Sequence, residues 1–358
     1  MKRIVVVAGT RPEIIKVAPI IRRFIEKKIK YVFIYSGQHY DYQLSNQIIN
    51  DLEIPLPNYS FELKSSIPSI QIAEIMTNLE KVSKEKNSIV LVQGDTNSVL
   101  ATSLFAIKQN KTLVHVEAGL RSFDWRMPEE HNRRMVDHIS NHLFAPTKES
   151  RQNLINEKVN GKIYVTGNTV MDAVKEHIKL SEQKSKIQNK IKFDDYILAT
   201  FHRAENVDNR KNLQNIINGI IKADLPVIIS LHPRTKKMLK RFNLYEKIKR
   251  KNIQIISPQG YLDFLSLMKN CKFIVTDSGG IQEECTSPFL AKKVLVLRDS
   301  TERPEALKSG NIKLLKLNHK KISKQMKFEW VHDFKQSRLS PYGNGDSAKK
   351  IVEILKKI

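Results

Sequence analysis

Short runs of apolar, mostly β-branched residues alternate with longer segments in which apolar residues recur every three or four positions. The apolar runs are continuous, which predicts strands buried on both faces of a parallel sheet. In the first half, helices are expected at Ile14–Glu26, Ile70–Lys84 and Ser98–Gln109, and strands at Ile4–Val7, Val32–Tyr35, Ile89–Val92, Leu113–Val116 and Leu143–Ala145. This order indicates βαβ units in an α/β domain.

A second series of the same kind follows a polar, Lys-rich bridge at Leu180–Asp195. Its strands are expected at Tyr196–Thr200, Val227–Leu231, Ile253–Ile256, Phe273–Thr276 and Val294–Leu297. We therefore predict two Rossmann-like α/β domains facing a central cleft. The N-terminal domain would span residues 1–175 and be completed by a C-terminal helix at 345–358, and the second domain would span residues 195–335.

Polar and glycine residues follow many of these strands, where ligands of parallel α/β sheets collect. They are Gly9-Thr10-Arg11, Ser36-Gly37-Gln38-His39, Gln93-Gly94-Asp95 and Glu117-Ala118-Gly119 in the first half, and His202-Arg203, His232-Pro233-Arg234 and Asp277-Ser278-Gly279-Gly280 in the second. We expect both rows of residues to line the cleft.

The composition narrows the class of protein. The chain has 358 residues, 41% of them hydrophobic and 27% charged, as in ordinary globular proteins of two domains. Its net charge of +24, of which +18 lies after residue 170, allows a partner such as nucleic acid or an anionic membrane, or a solvated lysine surface. No apolar run is long enough for a membrane span, and two cysteines are too few for a disulfide framework, so we expect a cytoplasmic protein.

Two strand-to-helix turns are candidate phosphate sites. After the first strand, Arg11 and Lys16 add positive charge to a helix start, whose amide groups attract anions. After a later strand, Ser278, Gly279 and Gly280 let a ligand approach the backbone closely. The first turn matches neither a dinucleotide fingerprint nor a nucleotide-triphosphatase loop, and each of the two turns could also be an ordinary structural turn.

The acid–base candidates are Asp95, Glu117, Glu129, Glu130 and His202. A carboxylate directly after a buried strand lies where desolvation and neighbouring charges change its pKa, and such groups suit proton transfer. Helix capping is the structural alternative for the first two, and one of the adjacent glutamates is expected to be structural. His115, His138, His142 and His232 are expected to be packing or supporting groups. No metal-ligand spacing stands out, so we predict no metal site.

Taken together, these segments resemble the non-hydrolysing UDP-N-acetylglucosamine 2-epimerase family, whose fold is similar to that of the two-domain GT-B glycosyltransferases. The resemblance covers nearly the whole chain and rests on an ordered set of motifs. The set comprises Gly9-Thr10-Arg11-Pro12-Glu13, Gln93-Gly94-Asp95-Thr96-Asn97, His115-Val116-Glu117-Ala118-Gly119-Leu120-Arg121, Pro128-Glu129-Glu130, Asn132-Arg133, Gly167-Asn168-Thr169, His202-Arg203, Asp277 to Glu284 and Thr301 to Glu305.

The resemblance implies an isomerase that eliminates UDP to give a 2-acetamidoglucal intermediate and adds it back with C2 inverted, without a cofactor. It implies proton transfer by Asp95, Glu117 and Glu129, and stabilisation of the leaving diphosphate by His202. It places Arg11, Lys16, Ser278, Gly279, Gly280 and Arg303 around UDP, Glu284 on the ribose, and Gln259 and Phe264 at the uracil. Arg298 is a further candidate for the phosphates.

Several alternatives stay open on the sequence. A hydrolysing relative, an epimerase of another UDP-2-acetamido sugar, or a GT-B glycosyltransferase would carry a similar UDP site. The stretch from Arg121 to Pro128 is shorter than in some family members, and the segment from Cys285 to Lys293 departs from the commoner pattern. The family further implies a homodimer with UDP-N-acetylglucosamine and UDP as ligands, and we expect neither nucleic acid nor a membrane as partner.

Overall fold

The structure is a computed structural model and describes residues 2–38, 48–83, 85, 87–301, 303–332, 334 and 340–358. The chain folds into two compact units. Unit 1 comprises Met1–Glu176 and Tyr342–Ile358, and unit 2 comprises His177–Pro341. Each unit contains one parallel sheet with helices, so the predicted class of two α/β domains is confirmed. No helix among the described residues is long and apolar enough to cross a membrane.

The sheet of unit 1 contains seven strands in the described part of the chain. They are β1 (Arg3–Ala8), β2 (Tyr31–Tyr35), β3 (Tyr59–Ser60), β4 (Ser88–Gln93), β5 (Thr112–Val116), β6 (His142–Ala145) and β7 (Lys162–Val165). Their order is β3-β2-β1-β4-β5-β6-β7 and all pairings are parallel. The chain leaves β1 in one direction and returns to β4 on its other side, which makes this pair the topological switch point.

The helices of this unit with defined bounds include α1 (Arg11–Glu26), α2 (Pro68–Val82), α3 (Asn97–Lys108), α4 (Pro128–Ile139), α5 (Lys148–Asn156), α6 (Thr169–Lys184) and, after unit 2, α14 (Ser347–Leu355). Helix α1 begins three residues before the predicted start, because Pro12 fits the first turn, where its missing N–H costs no hydrogen bond. Thr96 caps α3 by accepting a hydrogen bond from the Val99 amide.

Unit 2 repeats the strand order. Its strands are β8 (Ile197–Thr200), β9 (Val227–Ser230), β10 (Ile253–Ile256), β11 (Phe273–Thr276), β12 (Val294–Val296) and β13 (Ile312–Leu314), in the order β10-β9-β8-β11-β12-β13. Its helices are α7 (Ala204–Val207), α8 (Arg210–Ala223), α9 (Pro233–Arg241), α10 (Tyr261–Asn270), α11 (Gly279–Cys285), α12 (Pro304–Lys308) and α13 (His319–Val331). The switch point of this sheet lies between β8 and β11.

Some local predictions differ from the structure. The bridge predicted from Leu180 begins inside α6, which continues to Lys184, and a short 3₁₀ turn follows at Ile187–Lys190. In the lysine-rich stretch before β10, the structure has only a 3₁₀ turn at Glu246–Ile248. Lysines there lie in an exposed turn, where helix periodicity has no apolar face to support it.

Candidate functional site

The carboxyl ends of β1, β4 and β5 lie side by side in unit 1, at and beside its switch point. Gly94 follows β4 with φ of +91°, and Glu117 follows β5 with φ of +73°. A side chain in this left-handed region costs roughly 1–2 kcal/mol, and such backbone strain clusters at functional sites. We call the three loops that follow β1, β4 and β5, at Gly9–Thr10, Gly94 and Glu117, the unit 1 edge.

Glu117 is buried at the unit 1 edge and accepts two hydrogen bonds on the same oxygen. Lys16 Nζ lies 2.5 Å from Glu117 Oε2, and Gln93 Nε2 donates to that oxygen over 2.6 Å. Lys16 is itself buried on α1. The ammonium that was expected near the phosphates is therefore bound to the carboxylate of a proton-transfer candidate, which favours the ionised form of Glu117.

Asp95 is held from α4. Arg133 Nη2 lies 2.5 Å from Asp95 Oδ2 and Arg133 Nε donates to the same oxygen over 3.2 Å, while the Asn132 side chain donates to the Asp95 carbonyl over 3.0 Å. The Asp95 side chain is 28% exposed, whereas that of Arg133 is 4% exposed. A carboxylate accessible on one side and fixed on the other can meet a substrate without losing its orientation.

The two adjacent glutamates of α4 have different surroundings. Glu130 is fully buried, and its carboxylate accepts from Arg133 over 2.7 Å, from Arg134 over 3.1 Å and from the Ser122 amide over 2.9 Å. Burial alone would raise its pKa, but the Ser122 bonds and the two arginines outweigh burial and lower the pKa. Glu129, the catalytic candidate of the pair, is exposed at the first turn of the helix.

Glu13 is a buried carboxyl at the unit 1 edge that received no role from the sequence. Its Oε2 accepts from the Gly9 amide over 2.6 Å, and its Oε1 is buried with no hydrogen-bond partner among the described residues. Burial raises the pKa of Glu13 to about 7, against hydrogen bonds to Thr96, Gly9 and Thr10 that lower it. Glu13 is therefore largely protonated below neutrality.

One carboxylate, that of Asp277, organises the switch point of unit 2. We call this carboxylate and the loops that it binds the unit 2 edge. Asp277, after β11, is fully buried and accepts from the backbone amides of His202 and Arg203 and from the Asn206 side chain, over 3.0 to 3.1 Å. These three residues follow β8. The bonds fix the backbone of the loop that carries His202.

The imidazole of His202 is 42% exposed, and its Nδ1 lies 3.7 Å from Asp277 Oδ1. Desolvation lowers the pKa of His202, Asp277 opposes this shift, and Arg203 adds to it. A neutral imidazole beside a carboxylate is available to hydrogen bond to an anionic ligand.

The remaining predicted ligand residues of unit 2 lie on several loops. Gly279 and Gly280 open α11 and Ser278 precedes them. A Cβ added at Gly280 would meet no described atom within 4 Å beyond its chain neighbours and the backbone of its own helix. Glu284 lies in the same helix and is 9% exposed. This helix start therefore has open space along its backbone.

Arg303, Gln259 and Phe264 are placed differently. Arg303 is buried and forms an ion pair with Glu283, with Nε 2.9 Å from Oε1. Gln259 follows the edge strand β10 and donates to the Ser257 carbonyl over 2.6 Å, and Phe264 is half-buried on α10. In unit 1, Arg11 is the first residue of α1 and is half-buried.

Arg133, Asp137 and Gln93 have supporting contacts that were not anticipated. Glu130, Arg133 and Asp137 are buried on α4 at positions i, i+3 and i+7, which share one helix face. The sequence did contain a signal for the residues of α4, because ionisable residues there repeat at helical spacing on one face of the helix. Gln93 gave a weaker signal, as a polar residue ending an apolar strand.

Two parallel-sheet domains of the same strand order, with paired ionisable side chains at one switch point and a glycine-rich helix start beside the other, are typical of two-domain α/β enzymes that act on nucleotide-linked substrates. The family model for UDP-N-acetylglucosamine 2-epimerases matches residues 23–356. The chain belongs to this family of epimerases, as the motif set predicts.

Known epimerases match this chain over all or nearly all of its length. The UDP-N-acetylglucosamine 2-epimerase of Methanocaldococcus jannaschii is 45% identical to this chain over 98% of both proteins. The crystal structure of the UDP-GlcNAc 2-epimerase from that organism, in complex with UDP-GlcNAc and UDP, matches with a TM-score of 0.90 at 43% identity and covers 100% of both chains. The Neisseria meningitidis enzyme bound to UDP-GlcNAc matches with a TM-score of 0.85 at 34% identity, again over 100% of both chains.

Proposed function

We propose that this chain interconverts UDP-N-acetylglucosamine and UDP-N-acetylmannosamine by inverting C2 of the sugar. The observation that carries the proposal is the pair of carboxylates, Asp95 and Glu117, held by separate cations on neighbouring loops of the unit 1 edge in a chain of the epimerase family. Two differently positioned proton-transfer groups are what inversion requires, since a proton leaves one face of C2 and another arrives on the opposite face.

The hydrogen on C2 is not acidic enough for simple removal and return. In the proposed reaction a base takes the C2 proton, the electrons of the C–H bond form the C1=C2 double bond, and the bond from C1 to the phosphate oxygen breaks as UDP leaves with its electron pair. The intermediate is 2-acetamidoglucal. A proton is then added to the other face of C2 while UDP bonds to C1 again.

Glu117 and Asp95 are the proposed proton-transfer groups. Lys16 and Gln93 position the carboxyl group of Glu117, and Arg133 positions that of Asp95. In each direction one of the two acts as the ionised base that takes the C2 proton, and the other, protonated, donates its proton to the opposite face of C2. His202 would donate a hydrogen bond to the departing diphosphate. Glu129 remains a third candidate. Its side chain is exposed, so it would take a defined position only when the substrate is bound.

The UDP-binding residues are proposed from the family motifs and their positions after the strands. Arg11 and the amide groups at the start of α11 would bind phosphate oxygens. Lys16 now has a stronger argument as the partner of Glu117 than as a phosphate ligand. The full proposed set is Arg11, Lys16, Ser278, Gly279, Gly280 and Arg303 at UDP, Glu284 at the ribose, and Gln259 and Phe264 at the uracil.

The ligands follow from the same proposal. They are UDP-N-acetylglucosamine and UDP, as bound in the M. jannaschii structure, with no cofactor because the bond changes balance without an oxidant. We also propose a homodimer, no nucleic-acid partner and a cytoplasmic location.

The test is proton and phosphorus NMR of the pure protein with UDP-N-acetylglucosamine in deuterated water. UDP-N-acetylmannosamine with deuterium at C2 is expected. Free UDP and free N-acetylmannosamine accumulating in equal amounts would indicate the hydrolysing reaction instead. Unchanged substrate without deuterium at C2, from protein that binds UDP, would overturn the proposal and favour a glycosyltransferase that needs an acceptor.

A further inference from the structure

His115 has a buried imidazole with two hydrogen-bond acceptors. Its Nδ1 lies 2.7 Å from Asp137 Oδ1, and its Nε2 lies 2.8 Å from the Gly94 carbonyl oxygen. A carboxylate and a carbonyl can only accept, so both ring nitrogens must donate. Two donating nitrogens mean that the ring is an imidazolium cation.

The ion pairs around His115 form a continuous series. Asp137 also pairs with Arg121 over 2.8 Å, and Arg121 pairs with Glu157 over 2.7 Å. Glu157 then pairs with Arg134 over 2.7 Å. Positive and negative groups alternate at every step.

The series continues to a proposed proton-transfer group. Arg134 pairs with Glu130 over 3.1 Å, Glu130 with Arg133 over 2.7 Å, and Arg133 with Asp95 over 2.5 Å. Because the Gly94 carbonyl bonded to His115 belongs to the residue before Asp95, the series closes on itself. We call it the charge ring, and its members are His115, Asp137, Arg121, Glu157, Arg134, Glu130, Arg133 and Asp95.

The balance of charge agrees with the hydrogen bonds. The ring contains four carboxylates and three arginines, and a charged His115 supplies the fourth cation, so that the ring is neutral as a whole. Outside the ring, the half-exposed His138 lies 3.8 Å from Glu157.

We propose that His115 is a positively charged positioning residue that fixes the Gly94–Asp95 turn. The proposal rests on the proposed function, in which Asp95 transfers a proton at C2. His115 acts from inside β5 through the Gly94 carbonyl, and Asp137 extends the same support to the Gly119 amide, beyond Glu117, over 3.1 Å. One imidazolium thus supports the loops of both proposed proton-transfer groups.

The test compares wild type with His115→Gln in deuterated water, starting from UDP-N-acetylglucosamine. Glutamine is uncharged and cannot donate to both partners in the same geometry. We expect kcat to fall by about 100-fold, the scale for misplacing a reacting group by about 1 Å, with KM within about threefold of wild type.

The decisive measurement is the ratio of deuterium in recovered substrate to epimerised product. Asp95 would serve one face of C2, so moving it changes how the intermediate divides between return and inversion. A loss of folded protein scales both quantities equally and leaves the ratio unchanged. The control is His142→Gln on the neighbouring strand β6, where Nδ1 faces only the Tyr164 hydroxyl over 3.3 Å in the described hydrogen bonds. It should keep both kcat and the ratio.

A changed ratio in His115→Gln, with the control unaffected, supports the proposal, and an unchanged ratio in folded His115→Gln overturns it. If His115→Gln does not fold, Glu157→Gln decides, because it breaks the charge alternation where the ring is partly exposed: a changed ratio supports the proposal and an unchanged one overturns it. An inactive wild type would instead refute the proposed function, so the two failures are distinguishable.

Discussion

The two units have the same strand order around their switch points, but the residues that follow the central strands are fixed in different ways. At the unit 1 edge, charged side chains are paired with other charged side chains, as in Glu117 with Lys16 and Asp95 with Arg133. At the unit 2 edge, one carboxylate, Asp277, binds backbone amides. One fold therefore supports two arrangements: the first orients ionisable side chains, and the second fixes the backbone of a loop.

The largest expected difference between the edges is in turnover. Glu117→Gln or Asp95→Asn should lower kcat by about 100- to 10,000-fold, since each removes a proposed acid–base group, while UDP affinity stays near wild type. NMR turnover assays and calorimetric UDP titration measure the two quantities. Glu80→Gln, on an exposed part of α2, is the matched control. Wild-type turnover in both carboxylate variants would assign these residues structural roles.

Lys16→Met tests whether Lys16 acts on Glu117 or on UDP. Leaving Glu117 buried without its cation should lower the free energy of unfolding by about 3–5 kcal/mol, measured by urea denaturation. Lys81→Met, on the surface of α2, should change it by no more than about 0.5 kcal/mol. Arg11→Ala should weaken UDP binding more than Lys16→Met does; the reverse order would place Lys16 on the phosphates.

Glu13→Gln should change how stability depends on pH. The pKa of Glu13 is raised from 4.5 to about 7 in the folded state, so the folded protein holds this proton more tightly than the unfolded chain. Below pH 4.5 the Glu13 carboxyl does not change the free energy of unfolding of the wild type. This free energy falls as the pH rises from 4.5 towards 7, and above pH 7 it is lower by roughly 3 kcal/mol. The variant should therefore gain stability over wild type between pH 4.5 and 7. Parallel curves for the two proteins would contradict the buried, protonated carboxyl.

Asp277→Asn tests the unit 2 edge and has the smallest expected effect. An amide keeps the size but loses the charge that accepts from three donors, so we expect a loss of about 1.5–3 kcal/mol in unfolding free energy. UDP affinity should fall along with turnover, because the His202 loop is loosened. A variant with intact UDP affinity and lowered turnover alone would show that both edges serve the chemistry equally.

The central strands could be predicted because burial on both faces makes them continuous and apolar, as in β1, β4 and β5. The strands β3, β7 and β13 lacked this signal, since their residues are few or largely exposed. The proposed carboxylates could be found from their position after the strands. Their partners could not, because Lys16 lies 101 residues from Glu117 and Arg133 lies 38 from Asp95. Such pairs are formed by the fold and leave no local pattern.

The return of the chain to unit 1 has a consequence for its synthesis. The Asn168 amide donates to the Tyr342 carbonyl over 2.9 Å, and Asp172 accepts from the first amides of α14, those of Ser347 and Ala348, over 3.1 Å. A chain made from its N-terminus therefore has every residue of unit 2 before unit 1 receives its last helix. Unit 2 can fold while unit 1 still lacks α14, and the surface of unit 1 that binds α14 stays uncovered until that helix has been made.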